Sequence, residues 1–275
     1  MHLITDRREI DHRGAALLSR AGDFATVGGI TGTGFEAYAR ILHPVSRRHD
    51  GRLDEVRWAQ VAAVTGATMH PQVQWWAVLG RRLDDGHGDT YTVDLPNGWH
   101  LNVDYEGEMP SALLTDLTGV LRPFTTPDEV TVAIWSGWGE LHVDGNVDLS
   151  ARPTESAFHR DIDPAIGRAA RRGPHFAWPA RDMILFDAAL TELADPDFGY
   201  VAGLWSPGTR RGPGPNMIWP ADLSWVVATE IDFSWTLVGG TRELIDTILS
   251  DDRFESFEVH ETDEMTWASD TVNQG

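Results

Sequence analysis

The spacing of apolar positions predicts a chain in which short strands and short helices are interspersed. Leu113, Leu114, Leu117, Val120 and Leu121 fall on one side of a helical wheel, so Ser111–Leu121 reads as an amphipathic helix. Asp163 as N-cap, Pro164 at the first helical position and Gly173 as the stop bracket a second helix, with Arg171 and Arg172 in its last turn. Helical spacing also runs through Leu53–Val64, which Gly66 ends, and through Thr241–Leu249. Alternation over Phe35–Leu42 predicts a strand with Ala37, Ala39 and Ile41 on one face and Tyr38, Arg40 and Leu42 on the other. Val130–Trp135, Met183–Phe186, Trp225–Phe233 and Phe254–Val259 are further strands, the third being the clearest. Tyr91–Val93 and His100–Tyr105 flank Pro96-Asn97-Gly98 as a hairpin.

Between these elements lie segments with no regular pattern. Residues 1–23 read as an irregular or short helical leader, Val27–Gly34 as a glycine-rich turn, and residues 195–220 as a long Pro/Gly-rich surface loop. The last dozen residues are expected to fray. Residues 100–135 and 225–259 share a strand, loop, helix, strand order, a weak internal echo. The expected fold is α+β, with a mixed or antiparallel sheet and helices packed mainly on one face. A single domain over residues 1–275 is expected, with 1–150 and 151–275 as the alternative division.

Composition removes whole classes of chemistry. The 275 residues contain no cysteine and no lysine. That excludes thiol nucleophiles, thiolate metal sites, Schiff-base chemistry and the lysine-dependent phosphate sites of P-loop proteins and kinases. Fragments such as His159-Arg160-Asp161 and Asp197-Phe198-Gly199 echo kinase motifs, but Trp135 follows Val132-Ala133-Ile134 where that chemistry needs a lysine. No apolar run approaches the roughly 18 residues of a membrane span, and the charged N-terminus has no apolar signal core, so a cytoplasmic protein is expected.

The net charge is −20: residues 51–150 carry −10 and residues 221–275 carry −11, while residues 1–50 carry +1 and residues 151–220 are neutral. Such a field disfavours nucleic acid and anionic membrane and favours a basic protein partner; the alternative is an acidic surface that serves solubility alone. Twelve tryptophans are expected more often to anchor the core than to form contact surface; among them Trp135, Trp138, Trp219 and Trp225 are the selected binding candidates.

Candidate chemistry is sparse. Glu230 and Asp232 share one face of the expected strand, about 7 Å apart at Cα, a spacing suited to a metal or an acid–base pair. Asp144, Asn146, Asp148 and Glu155 place oxygen ligands where a calcium loop needs them, although Leu149 stands where that loop needs glycine. His142 with Asp144 and His159 with Asp161 lack a third ligand at metal-site spacing and read as structural. Arg168, Arg171 and Arg172, with Arg160, form the one basic cluster. No cofactor is implied.

Trp219–Leu249, Phe35–Pro44 and Ile134–Gly139 resemble segments of a family of uncharacterised actinobacterial cytosolic proteins. The resemblance implies a bacterial cytosolic protein and carries no activity. Two readings of function follow. The first is a non-enzymatic acidic binding protein that recognises a basic partner, in the manner of an immunity protein or antitoxin. The second is a metal-dependent or carboxylate-based hydrolase using Glu230 and Asp232. A tryptophan-walled small-ligand site stands behind both.

Overall fold

The structure, a computed structural model, describes residues 1–81, 92–104, 106–142, 162–205 and 213–273. Helices and antiparallel strand pairs place the chain in the α+β class. It divides into two compact units that interleave along the sequence. Met1–Arg20 and Ser111–Val226 form one; Ala21–Pro110 and Val227–Gly275 form the other. A cut at residue 150 therefore falls inside a stretch of the first unit.

In the first unit, β1 (His2–Leu3), β9 (Arg181–Ala189), β7 (Glu129–Trp135) and β10 (Met217–Pro220) lie side by side, and β8 (Phe176–Trp178) also pairs with β9. The leader takes the helical of its two expected forms: α1 (Arg7–Leu18) is a twelve-residue helix whose N-cap Asp6 accepts from the backbone N–H groups of Arg8 and Glu9. Gly14 in α1 is required by packing, because a Cβ there would come within 2.4 Å of the Phe176 ring. α5 (Ser111–Leu121) buries Leu113, Leu114, Leu117, Val120 and Leu121, as its periodicity predicts. α6 (Pro164–Arg172) likewise starts on Asp163 and stops at Gly173. The segment read as a long loop instead contains α8 (Phe198–Val201) and β10.

In the second unit, β11 (Val226–Thr229), β12 (Trp235–Gly240), β2 (Ala37–Leu42) and β13 (Glu255–Val259) are neighbours in that order. β2 is central, with Trp235 opposite Leu42 in β12 and Glu255 opposite Leu42 in β13. The predicted strand forms, and every residue of β2 is buried on both of its faces, Arg40 included at 0% exposed. A smaller sheet runs β4 (Arg52–Val56), β3 (Val45–His49), β6 (His100–Asn102), β5 (Thr92–Asp94), in which the expected hairpin forms. Two helices, α3 (Trp58–Thr65), closed by Gly66 at φ 85°, and α9 (Arg242–Leu249), capped by the Thr241 hydroxyl, complete the main elements. The glycine-rich turn forms the short helix α2 (Val27–Thr31). The sequence echo joins parts of different units, since β6 belongs to one and α5 and β7 to the other.

Two corrections bear on the site. The strand around Trp225 spans only Val226–Thr229, and residues 230–234 turn the chain into β12. The C-terminal segment does not fray: Met265 and Asp270 are 1% and 0% exposed.

Candidate functional site

The second unit holds a small cleft where aromatic rings and carboxylates converge. Trp58 and Trp75 come from the starts of α3 and α4 (Trp75–Val78), Phe233 and Trp235 from the turn into β12, and Trp267 from the C-terminal segment. Asp232 and Glu106 add two carboxyl groups, Asp232 exposed and Glu106 half-buried. Among the described residues, no Arg or His lines the cleft.

The rings form two groups. Phe233 lies 4.8 Å from Trp235 at an interplanar angle of 22° and 5.3 Å from Trp267 at 35°. Trp58 and Trp75 lie 5.2 Å apart. Between the two groups sits Arg40, its guanidinium carbon 5.0 Å from the Trp235 ring and 5.9 Å from Trp58. This is cation–π geometry in a dry setting. Only Nη1 of Arg40 is hydrogen-bonded, to the Pro71 carbonyl at 2.8 Å; Nε and Nη2 are buried without partners, as is the Trp235 indole N–H. Burial pulls the Arg40 pKa down to about 9, against the opposing field of Asp270.

Asp270 is the node that holds the cleft walls. Its carboxylate accepts from His70 Nε2 at 3.0 Å, Gln74 N at 3.2 Å, the backbone N–H groups of Val272 and Asn273, and Asn273 Nδ2. These bonds tie the segment leading to Trp75 to the segment carrying Trp267. Trp76 Nε1 adds a bond to the Trp267 carbonyl at 2.9 Å. The buried Gln74 donates its amide nitrogen to Gln72 O and to Ser269 Oγ, which fixes the amide plane.

Gly107 places Glu106 beside the 230–234 turn. Its φ is +73°, its N–H donates to the Phe233 carbonyl, and a Cβ there would come within 2.3 Å of Ile231 O. Gly107→Ala is therefore expected to cost about 1–3 kcal/mol from the strained backbone alone. Chemical denaturation checks this, and a loss below roughly 0.5 kcal/mol would remove Gly107 from the account of the site.

The sequence candidates separate. Glu230 and Asp232 are not strand neighbours on one face: they share a tight turn in which the Asp232 N–H donates to Glu230 Oε2 at 3.3 Å. The strand geometry behind the acid–base pairing is absent, and Asp232 instead lines the aromatic cleft. Trp219 and Trp225 are 1% and 0% exposed; they are core residues, their indole N–H groups donating to Arg13 O and Thr125 Oγ1, and offer no binding surface. Trp135 and Trp138 are half-buried, 5.6 Å apart in an edge-on pair, with buried Asn216 Oδ1 accepting from Trp135 N and Trp138 Nε1. Asp144, Asn146, Asp148 and Glu155 lie outside the described residues, as do His159, Arg160 and Asp161. Arg168, Arg171 and Arg172 occupy exposed positions of α6. Among the described residues, no three His, Asp or Glu side chains converge as a metal site, and no helix is long and apolar enough to cross a membrane.

Sequence reasoning missed the cleft because its parts lie far apart along the chain, although the excess of tryptophan signalled an aromatic feature. A second, wider cleft of about 320 Å³ lies along Gly34–Tyr38 and Glu258–Glu261. Its carboxylates are used internally: Glu36 accepts from Arg242 N, Glu258 pairs with Arg242 Nη1, and Glu261 accepts from Gly34 N and the Tyr38 hydroxyl. Comparison with protein family models, with curated proteins and with solved structures gives no match to this chain.

Proposed function

We propose that the protein is a non-enzymatic, cytoplasmic acidic binding protein that recognises a basic protein partner, in the manner of an immunity protein or antitoxin, through the aromatic cleft of its second unit. One observation carries this reading: the half-buried rings of Phe233 and Trp267 and two carboxylates converge in a cleft that, among the described residues, no basic side chain lines. Aromatic faces attract cations, and carboxylates add charge and hydrogen-bond acceptors. The surrounding charge, −20 overall, steers a basic partner toward the surface and makes encounter salt-sensitive. Asp232 enters as a cation-binding group, and the hydrolase reading loses the strand geometry that motivated it.

The test is capture from lysate of the native host at low and high salt, with Trp267→Ala as control. Wild type is expected to retain one basic protein at low salt, to release it at high salt, and to lose it in the variant. Capture of the same protein equally by wild type and by Trp267→Ala would overturn the assignment to this cleft. A blank at low salt would overturn the binding reading itself.

A further inference from the structure

The hairpin of β3 and β4 turns at Asp50-Gly51, both at positive φ (49° and 76°), the signature of a two-residue type I′ turn. The closing residues of such a turn, here His49 and Arg52, exchange both backbone hydrogen bonds, and bonded pairs then alternate along the ladder. Arg52, Asp54 and Val56 therefore point their N–H and C=O groups to β3, while Leu53 and Glu55 point theirs away from it. β4 ends the smaller sheet, so among the described residues no strand meets those outward groups. Arg52, Leu53, Asp54 and Glu55 are all exposed, Leu53 at 70%. An unpaired edge that carries an exposed leucine is a template for another strand.

We propose that this edge pairs with β4 of a second copy of the chain, antiparallel about a two-fold axis at Leu53, so that the smaller sheet runs on from one copy into the other.

The charges select this occupant and this register. Opposite residues of an antiparallel pair share a face and interact directly. With the axis at Leu53, Arg52 of each copy stands opposite Asp54 of the other on one face, and Leu53 meets Leu53 on the other face. An axis at Arg52, Asp54 or Glu55 would set like charges opposite each other, which destabilises the pair. Leu53 also has outward N–H and C=O groups, so the two residues at the axis bond to each other. Asp54 is held by two N–H donors of Arg47, yet a carboxylate has about four acceptor sites and this side chain stays 48% exposed. Arg52 has no ion-pair partner in its own chain among the described residues. The surrounding charge permits the approach: residues 45–57 hold four Arg and three acids, a net +1 in a chain of −20. Two five-residue strands bury well under the roughly 1,200 Å² of a standard interface, so the dimer is weak and reversible, with a Kd of about 10–100 µM.

Sedimentation of the full chain over a concentration series at physiological salt tests the pairing, together with hydrogen exchange followed amide by amide. A reversible monomer–dimer equilibrium is expected. The Leu53 and Glu55 amides should exchange about tenfold more slowly once nine-tenths of the chain is paired, while the Arg52 and Asp54 amides, already bonded to β3, stay unchanged. Leu53→Pro removes an N–H that β3 does not use, a change that edge strands accept, and is expected to weaken association at least about tenfold. Arg52→Asp sets two acids opposite each other and is expected to do the same. Arg8→Asp, an equal change of charge at an exposed position of α1, is expected to leave the dimer intact. A chain that stays monomeric throughout overturns the proposal, as does a dimer that Leu53→Pro leaves intact or in which the Leu53 amide is not slowed. A dimer that Leu53→Pro weakens but Arg52→Asp does not, or that Arg52→Asp and Arg8→Asp weaken alike, overturns the two-fold register.

Discussion

Asp270→Ala is expected to lower the unfolding free energy by about 3–5 kcal/mol, the cost typical of removing one member of a buried charged network. The carboxylate is 0% exposed and accepts from His70, Gln74, Val272 and Asn273. Its removal leaves several buried donors without acceptors and strips the buried Arg40 of its opposing charge. Denaturant unfolding at neutral pH measures the loss; a value under 1 kcal/mol would refute the node. The pH dependence supplies a second check. Burial alone would raise the Asp270 pKa, but hydrogen bonds from Asn273, Gln74 and His70 outweigh it and hold the carboxyl below its ordinary 3.8. The folded state thus binds its proton less readily than the unfolded chain. The stabilisation is present above pH 3.8 and is lost as pH falls through the lower folded value. The difference between wild type and variant should shrink on acidification through that window. Glu255 has the opposite sign: burial raises its pKa above 4.5 despite accepting from Ala59 N and Trp58 N. Its contribution is present below 4.5 and is lost as pH rises through the raised folded value.

Trp235→Ala is expected to cost about 3–5 kcal/mol, because the ring is 0% exposed and lies between Phe233 and Arg40. The informative contrast is with phenylalanine. The Trp235 indole N–H is buried without a partner, so Trp235→Phe removes an unsatisfied donor and loses no hydrogen bond. Trp58 Nε1 donates to His43 O at 2.8 Å, so Trp58→Phe loses that bond and leaves a buried carbonyl short of one donor. Trp58→Phe should therefore cost about 1–3 kcal/mol more than Trp235→Phe. Equal losses in paired denaturation curves would show that the indole donors do not distinguish the two positions.

What was legible in the sequence depended on whether a signal was local. Ser111–Leu121 and Pro164–Arg172 were readable because their apolar stripe, caps and stop residues sit within one stretch of chain. Gly66 and Pro96-Asn97-Gly98 likewise announced a helix end and a hairpin. Trp225–Phe233 was misread because the alternation of apolar and polar positions runs on through Glu230, Ile231, Asp232 and Phe233 into a turn, and only the start of β12 shows where the strand ends. The burial of Arg40 was not legible, because alternation separates two faces but cannot reveal a strand covered on both sides. The cleft combines residues near positions 58, 75, 106, 233 and 267, and no local pattern joins them. Its charge was legible: the acidic C-terminal fifth contributes Asp232 and Asp270.

The interleaving of the two units has a consequence for synthesis. Residues 21–110 leave the ribosome early, yet β2 is hydrogen-bonded on both sides by strands from residues 235–259, and the node at Asp270 comes later still. At about 5–20 residues per second, the interval between residue 110 and residue 235 is roughly 6–25 s. Through that interval β2, an apolar strand around a lone arginine, has neither of its neighbours. Vectorial folding is thus closed to this half of the molecule, and nascent chains stalled before residue 235 are expected to need a chaperone that shields β2.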